Sequence, residues 1–78
     1  MGRGNEAEPP HLIENRLKAV RVAQGLSQGD LAAKSGITRQ AVSAIESDVY
    51  LPATPVALRL ASVLACRVED LFSLTKHD

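Results

Sequence analysis

Apolar residues recur at helical spacing through most of the chain. Ile13, Leu17 and Val20 form one stripe, with Arg16, Lys18 and Arg21 lying off it. Gly25 predicts the end of this first helix near Gln24. Ser27 is placed to cap a second helix, and Asp30 at its third position completes an approximate capping box. That helix turns Leu31 and Ala32 inward and stops at Gly36 after Ser35. Thr38 caps a third helix from Arg39 to Glu46. Val42 and Ile45 face inward, leaving Gln40, Ser43 and Ala44 outward. The stretch SDVYLPAT, residues 47–54, reads as a loop. Thr54 then caps a fourth helix with Pro55 at its first position, where a missing N–H costs nothing. Val56, Leu60, Ala61 and Leu64 carry its stripe. After a turn at 66–68, Glu69 to Leu74 predict a fifth helix anchored by Leu71 and Phe72. No run alternates with period two and no hairpin dipeptide occurs. The pattern therefore predicts an all-α domain of five short helices.

The first ten residues, MGRGNEAEPP, show no periodicity. Their Gly, Pro and polar content predicts a disordered or loosely attached arm over 1–10, leaving 11–78 as a single domain. A chain of 78 residues buries only a modest core. Tyr50 and Phe72 are its only aromatic residues, so that core must be aliphatic. The single cysteine, Cys66, excludes an internal disulfide, suits a reducing cytoplasm, and reads as a small buried hydrophobe. No apolar run approaches the ~18 residues of a membrane span, and no hydrophobic signal segment opens the chain.

Formal net charge is zero, with 9 basic and 9 acidic residues, but the charges are unevenly placed. Residues 16–43 hold Arg16, Lys18, Arg21, Lys34 and Arg39 against Asp30 alone. Both flanks are net acidic. A basic segment between acidic ones is compatible with a polyanion-binding face and with plain solvation. Catalysis lacks candidates: no Ser–His–Asp or Cys–His set and no phosphate-cradling Gly-rich loop is present. His11 and His77 stand beside no ligand cluster, so neither a metal nor a cofactor is expected.

Between the second and third helices, Ser35-Gly36-Ile37 forms a tight corner. Gly36 supplies the positive φ such a corner needs, and Ile37 anchors it in the core. This is helix-turn-helix geometry, in which the second of the two helices enters a DNA major groove. The stretch GLSQGDLAAKSGITRQAVSAIE resembles the Cro/C1-type (XRE-family) helix-turn-helix of phage repressors. Arg16-Leu17-Lys18 and Arg21 match that family's first helix, and Leu51-Pro52 through Leu71-Phe72 match its last two. The resemblance covers about residues 12–74 and implies a lambda-repressor-like domain with the helix-turn-helix at helices 2 and 3. Two positions depart from the family pattern. Asp48 stands where Gly or Asn is usual, and Ala65 stands where Gly is common.

Arg39 opens the third helix, where its fork matches guanine O6 and N7; a phosphate contact or a surface ion pair is the alternative. Gln40 suits adenine N6 and N7, or solvent. Ser43 matches a base-contact position of the family, and Ala44 offers only a methyl group. Gln28 brings a helix N-terminus to phosphate and, by the resemblance, braces the third helix. Ser27 and Thr38 are caps first and phosphate contacts second. Arg21 and Lys34 are candidate phosphate contacts against simple solvation. The resemblance makes Glu46 an internal ion-pair partner of Arg16 or Arg21. Tyr50 suits packing better than phosphate contact.

Together these features imply a non-enzymatic, sequence-specific regulator that binds double-stranded DNA and acts by occlusion or recruitment at a promoter. A homodimer on a near-palindromic operator is expected, with Leu71, Phe72 and Leu74 as its interface. The tail resembles regulators with a C-terminal sensor similar to periplasmic binding proteins. A small-molecule effector is implied only where such a domain is present. The competing reading is a helical protein-interaction module, of antitoxin type, with weak or no DNA binding.

Overall fold

The computed structural model describes residues 13–75. The arm expected over 1–10 lies outside them, as do residues 11, 12 and 76–78 of the expected domain. The chain runs through β1 (Ile13–Asn15), α1 (Leu17–Ala23), α2 (Gln28–Ser35), α3 (Arg39–Glu46), α4 (Thr54–Val63), α5 (Val68–Leu71) and β2 (Phe72–Leu74). Among the described residues there are five helices, as expected, but the fold is not strictly all-α. β1 and β2 pair antiparallel, with Ile13 opposite Leu74 and Asn15 opposite Phe72.

Local hydrogen bonding explains the sheet. Asn15 Oδ1 accepts from Leu17 N at 3.0 Å, which starts α1 at Leu17 and leaves Ile13 to the strand. At the other end the helix expected from Glu69 to Leu74 stops at Leu71. Phe72 takes extended geometry, φ −136 and ψ 127. Arg16 N donates to Leu71 O at 2.8 Å and draws the two chain ends together. The Arg16 guanidinium then bonds Asp70 O, Glu69 O and Ser73 Oγ at 3.1, 2.9 and 2.8 Å. It also pairs with Glu14 at 2.6 Å. The carbonyls that end α5 thus find a side-chain donor. Three-residue strands are too short for alternation to show in sequence.

The α2–α3 corner forms as expected. Gly36 has φ 73, and its N–H returns to Ala32 O. Ile37 N also bonds Ala32 O at 3.1 Å, and its side chain packs on the core. That core is aliphatic: Leu17, Leu31, Ala32, Val42, Ile45, Leu60, Ala61, Leu64 and Leu71 are all buried. Burying each leucine fully contributes about 1.5–3 kcal/mol. Cys66 packs against the core half-buried, and burial raises its thiol pKa.

Two further expectations need correction. Ala53, not Thr54, is the residue before α4. Its extended backbone starts the helix without a side-chain cap, and Thr54-Pro55 form the first turn. Tyr50 does not pack inward; it is 45% exposed on the loop after α3, together with Val49 and Leu51.

Candidate nucleic-acid interface

Two capped helix starts build the polar face of the molecule. At α2, Asp30 N donates to Ser27 Oγ at 2.9 Å and Ser27 N donates back to Asp30 Oδ2 at 3.0 Å. This is the reciprocal capping box the sequence pattern predicts, and Ser27's bonds lower the Asp30 carboxyl pKa. At α3, Ala41 N donates to Thr38 Oγ1 at 3.0 Å. Both caps fix where each helix begins, and so where the next side chains project.

Gln28, Arg39, Gln40 and Ser43 line a single cleft at these two helix starts. Arg39 and Gln40 are exposed, and Ser43 is half-buried. Among the described residues, no side-chain hydrogen bond or ion pair engages Arg39 or Gln40. The hydrophobic side of α3 explains their freedom: Val42 and Ile45, at 0% and 1% exposure, hold the helix down from below. Ala44 is half-buried outside the cleft, and Lys34 is exposed in the last turn of α2.

Arg21 is elsewhere. It is 7% exposed, on the inner side of α1. Its Nε and Nη2 donate to Glu46 at 2.6 and 3.1 Å, and Nη1 donates to Leu26 O at 2.7 Å. Buried, and with each of its three nitrogens donating internally, it is turned away from the surface where a phosphate would lie, which corrects that expectation. Of the two partners implied for Glu46, Arg21 is the one found. Position was a readable signal here. Arg21 falls four residues after Leu17, on the buried side of the helix.

Glu46 also accepts from Gln28 Nε2 at 3.0 Å. One carboxylate therefore joins α1, α2 and α3. Burial alone would raise its pKa. Hydrogen bonds from Arg21 and Gln28, with the charge of Arg21, outweigh burial and hold it below the usual carboxylate value. Gln28 thus braces α3 through Glu46 while its own helix start faces the cleft.

Sequence patterning gave Asn15 no role. Its Nδ2 donates to Ile45 O at 2.7 Å and to Asp48 Oδ1 at 2.9 Å, tying β1 to the end of α3. Asn directly before a helical stripe is a helix-start signal that would have found it.

The expected dimer residues divide. Leu71 is 0% exposed and belongs to the core, so it cannot meet a partner. Phe72 is half-buried and Leu74 is 68% exposed. Both line an apolar groove with Ile13, Leu51, Pro52 and Leu58.

Comparison with known proteins places this geometry. A helix-turn-helix family model matches residues 17–71. An uncharacterized HTH-type transcriptional regulator of Methanocaldococcus jannaschii is 38% identical over 60 residues, spanning 77% of this chain and 91% of that protein. The uncharacterized HTH-type transcriptional regulator YgzD of Bacillus subtilis is 35% identical over 66 residues, 85% of this chain and 100% of YgzD. The HTH-type transcriptional regulator PuuR of Escherichia coli is 40% identical over 58 residues, 74% of this chain but 31% of PuuR.

Proposed function

The chain belongs to the helix-turn-helix family, and from that premise we propose that it is a sequence-specific regulator that binds double-stranded DNA. The observation that carries the reading is the cleft at the starts of α2 and α3. There Gln28, Arg39, Gln40 and Ser43 converge, and Arg39 and Gln40 have no internal partner among the described residues. In a major groove, Arg39 pairs with guanine O6 and N7, and Gln40 with adenine N6 and N7. Ser43 reaches a base through its hydroxyl or a bridging water, and Ala44 contributes only its methyl group. The backbone N–H groups at Gln28, the hydroxyls of Ser27 and Thr38, and Lys34 hold phosphates and fix the register. Such a regulator works on chromosomal or phage DNA in a bacterial or archaeal cytoplasm.

A module this small binds one half-site weakly, so the reading includes a two-fold dimer on a near-palindromic operator. Its half-sites lie about 10 bp apart. The apolar groove supports this, since exposed Leu58 and Leu74 beside it leave apolar surface that a second copy covers. The interface then comprises Ile13, Leu51, Leu58, Phe72 and Leu74, without Leu71. A purely protein-binding module is the alternative, and a salt series separates the two. Affinity for an enriched duplex falls steeply with salt in the DNA reading, because bound phosphates release counterions. Lys34→Ala weakens binding to all sequences about equally. No duplex enriched from a random pool, at any salt, excludes the DNA reading. Sedimentation tests the dimer, with Leu58→Glu and Leu74→Glu shifting the chain to monomer.

A further inference from the structure

Thr38 caps the start of α3; at its end Arg21 and Gln28 hold the Glu46 carboxylate, and Asn15 holds the neighbouring backbone. The Asn15 amide meets Ile45 O at 2.7 Å, in the last turn, where helix carbonyls lack intrahelical partners. The same amide meets Asp48 Oδ1 at 2.9 Å, across 33 residues of sequence. Asp48 has φ 62, a conformation unfavourable for an L residue. Such a turn persists only where its surroundings over-determine it. Asp48 N to Ile45 O at 3.1 Å and Val49 N to Ala44 O at 2.9 Å close the turn through the backbone, and Asn15 adds a side-chain constraint to them. Asn15 is itself fixed, because its Oδ1 accepts from Leu17 N and its backbone lies in β1 opposite Phe72.

An eight-residue helix is about 12 Å long. Val42 and Ile45 are its buried anchors, and as a rigid rod it carries any tilt at its end to Arg39 and Gln40. Recognition groups misplaced by about 1 Å lose much of their hydrogen-bond energy. We propose that Asn15 is a positioning residue for DNA recognition. It fixes the end of α3 and the Asp48 turn, and thereby the pose in which Arg39 and Gln40 meet bases. The inference rests on the DNA-binding reading above.

The test uses the full chain and a duplex enriched by the unaltered protein. Asn15→Ala is compared with Gln24→Ala, which removes a bond of similar kind, to Leu64 O, that engages no polar group of α3. Both are measured where circular dichroism shows them fully folded. Asn15→Ala is expected to weaken binding about tenfold, the loss of one or two hydrogen bonds' worth of positioning. Its amide exchange rises around residues 45–49, and Gln24→Ala binds as the parent does. Asn15→Asp sets a carboxylate against Asp48 and against Ile45 O and loses more; adding Asp48→Asn restores a carboxylate–amide pair at residue 48, though not the bond to Ile45 O, and recovers part of the loss, several-fold. Parental affinity in folded Asn15→Ala, or no recovery in the double variant, overturns this inference alone. A parent protein that enriches no duplex overturns the DNA-binding reading and this inference with it.

Discussion

Arg21 and Arg39 sit in the same basic segment, and the fold sets them in opposite environments. Arg21 faces inward from α1 with Nε, Nη1 and Nη2 all donating, to Glu46 and to Leu26 O. Arg39 stands at the open start of α3, and no side chain among the described residues engages it. The difference comes from position on a helix. Arg21 follows the buried Leu17 by one helical turn and is carried under α3. Arg39 precedes the anchors Val42 and Ile45 and is carried away from the core. Equal charges therefore separate into one that ties α1 to α3 through Glu46 and one left exposed at the start of α3. Counting charge along a sequence does not make that distinction.

Removing the inner partner breaks the comparison most severely. Glu46→Ala leaves the Arg21 charge buried and unpaired, which costs about 3–5 kcal/mol. That is a large share of a small domain's stability. Urea denaturation should show it plainly, while Arg39→Ala stays within about 0.5 kcal/mol of the parent. Equal costs for the two would mean that the inner pair does not hold the fold.

Acid sharpens the contrast at smaller scale. The folded pKa of Glu46 is depressed, so its contribution is complete above the ordinary carboxyl value of about 4.3. It is lost as pH falls through the lower folded value. Asp30, lowered by its bonds with Ser27, acts in the same window. Melting temperature should hold near neutrality and drop below about pH 4. Glu46→Gln should flatten most of that drop. The smallest effect lies away from both arginines. Ala65 has φ 55 and is exposed, so Ala65→Gly relieves a left-handed strain and should add about 0.5–1 kcal/mol by thermal melting.

Much of the helical frame was legible because its punctuation is local. Ser27, Asp30, Thr38 and Gly36 act within one turn of themselves, and each does so in the structure. The family's usual glycine at Ala65 also has a local cause in the positive φ. The sheet was not legible because its bonds are long-range. Arg16 reaches Leu71, Asp70 and Ser73 across most of the chain, and no spacing rule records that. Ile13 misled for a related reason: it fits the stripe of Leu17 and Val20, yet Asn15 starts α1 after it. Arg39, Gln40 and Gln28 were read from their place at helix starts and Ser43 from the family resemblance, and the structure brings the four to one cleft. Arg21 and Leu71 each carried two readings, phosphate contact or partner of Glu46 and dimer surface or helix anchor, and the structure buries both.

The central claim is that the start of α3 reads bases while the inner arginine does not. Selection of duplexes from a random pool, run in parallel with the parent and with Arg39→Ala, tests it most directly. The account predicts that the parent enriches a near-palindromic site. Arg39→Ala should bind that site about 1–3 kcal/mol more weakly and lose its preference at one position in each half-site. An enriched site whose base preference is unchanged in Arg39→Ala would contradict it.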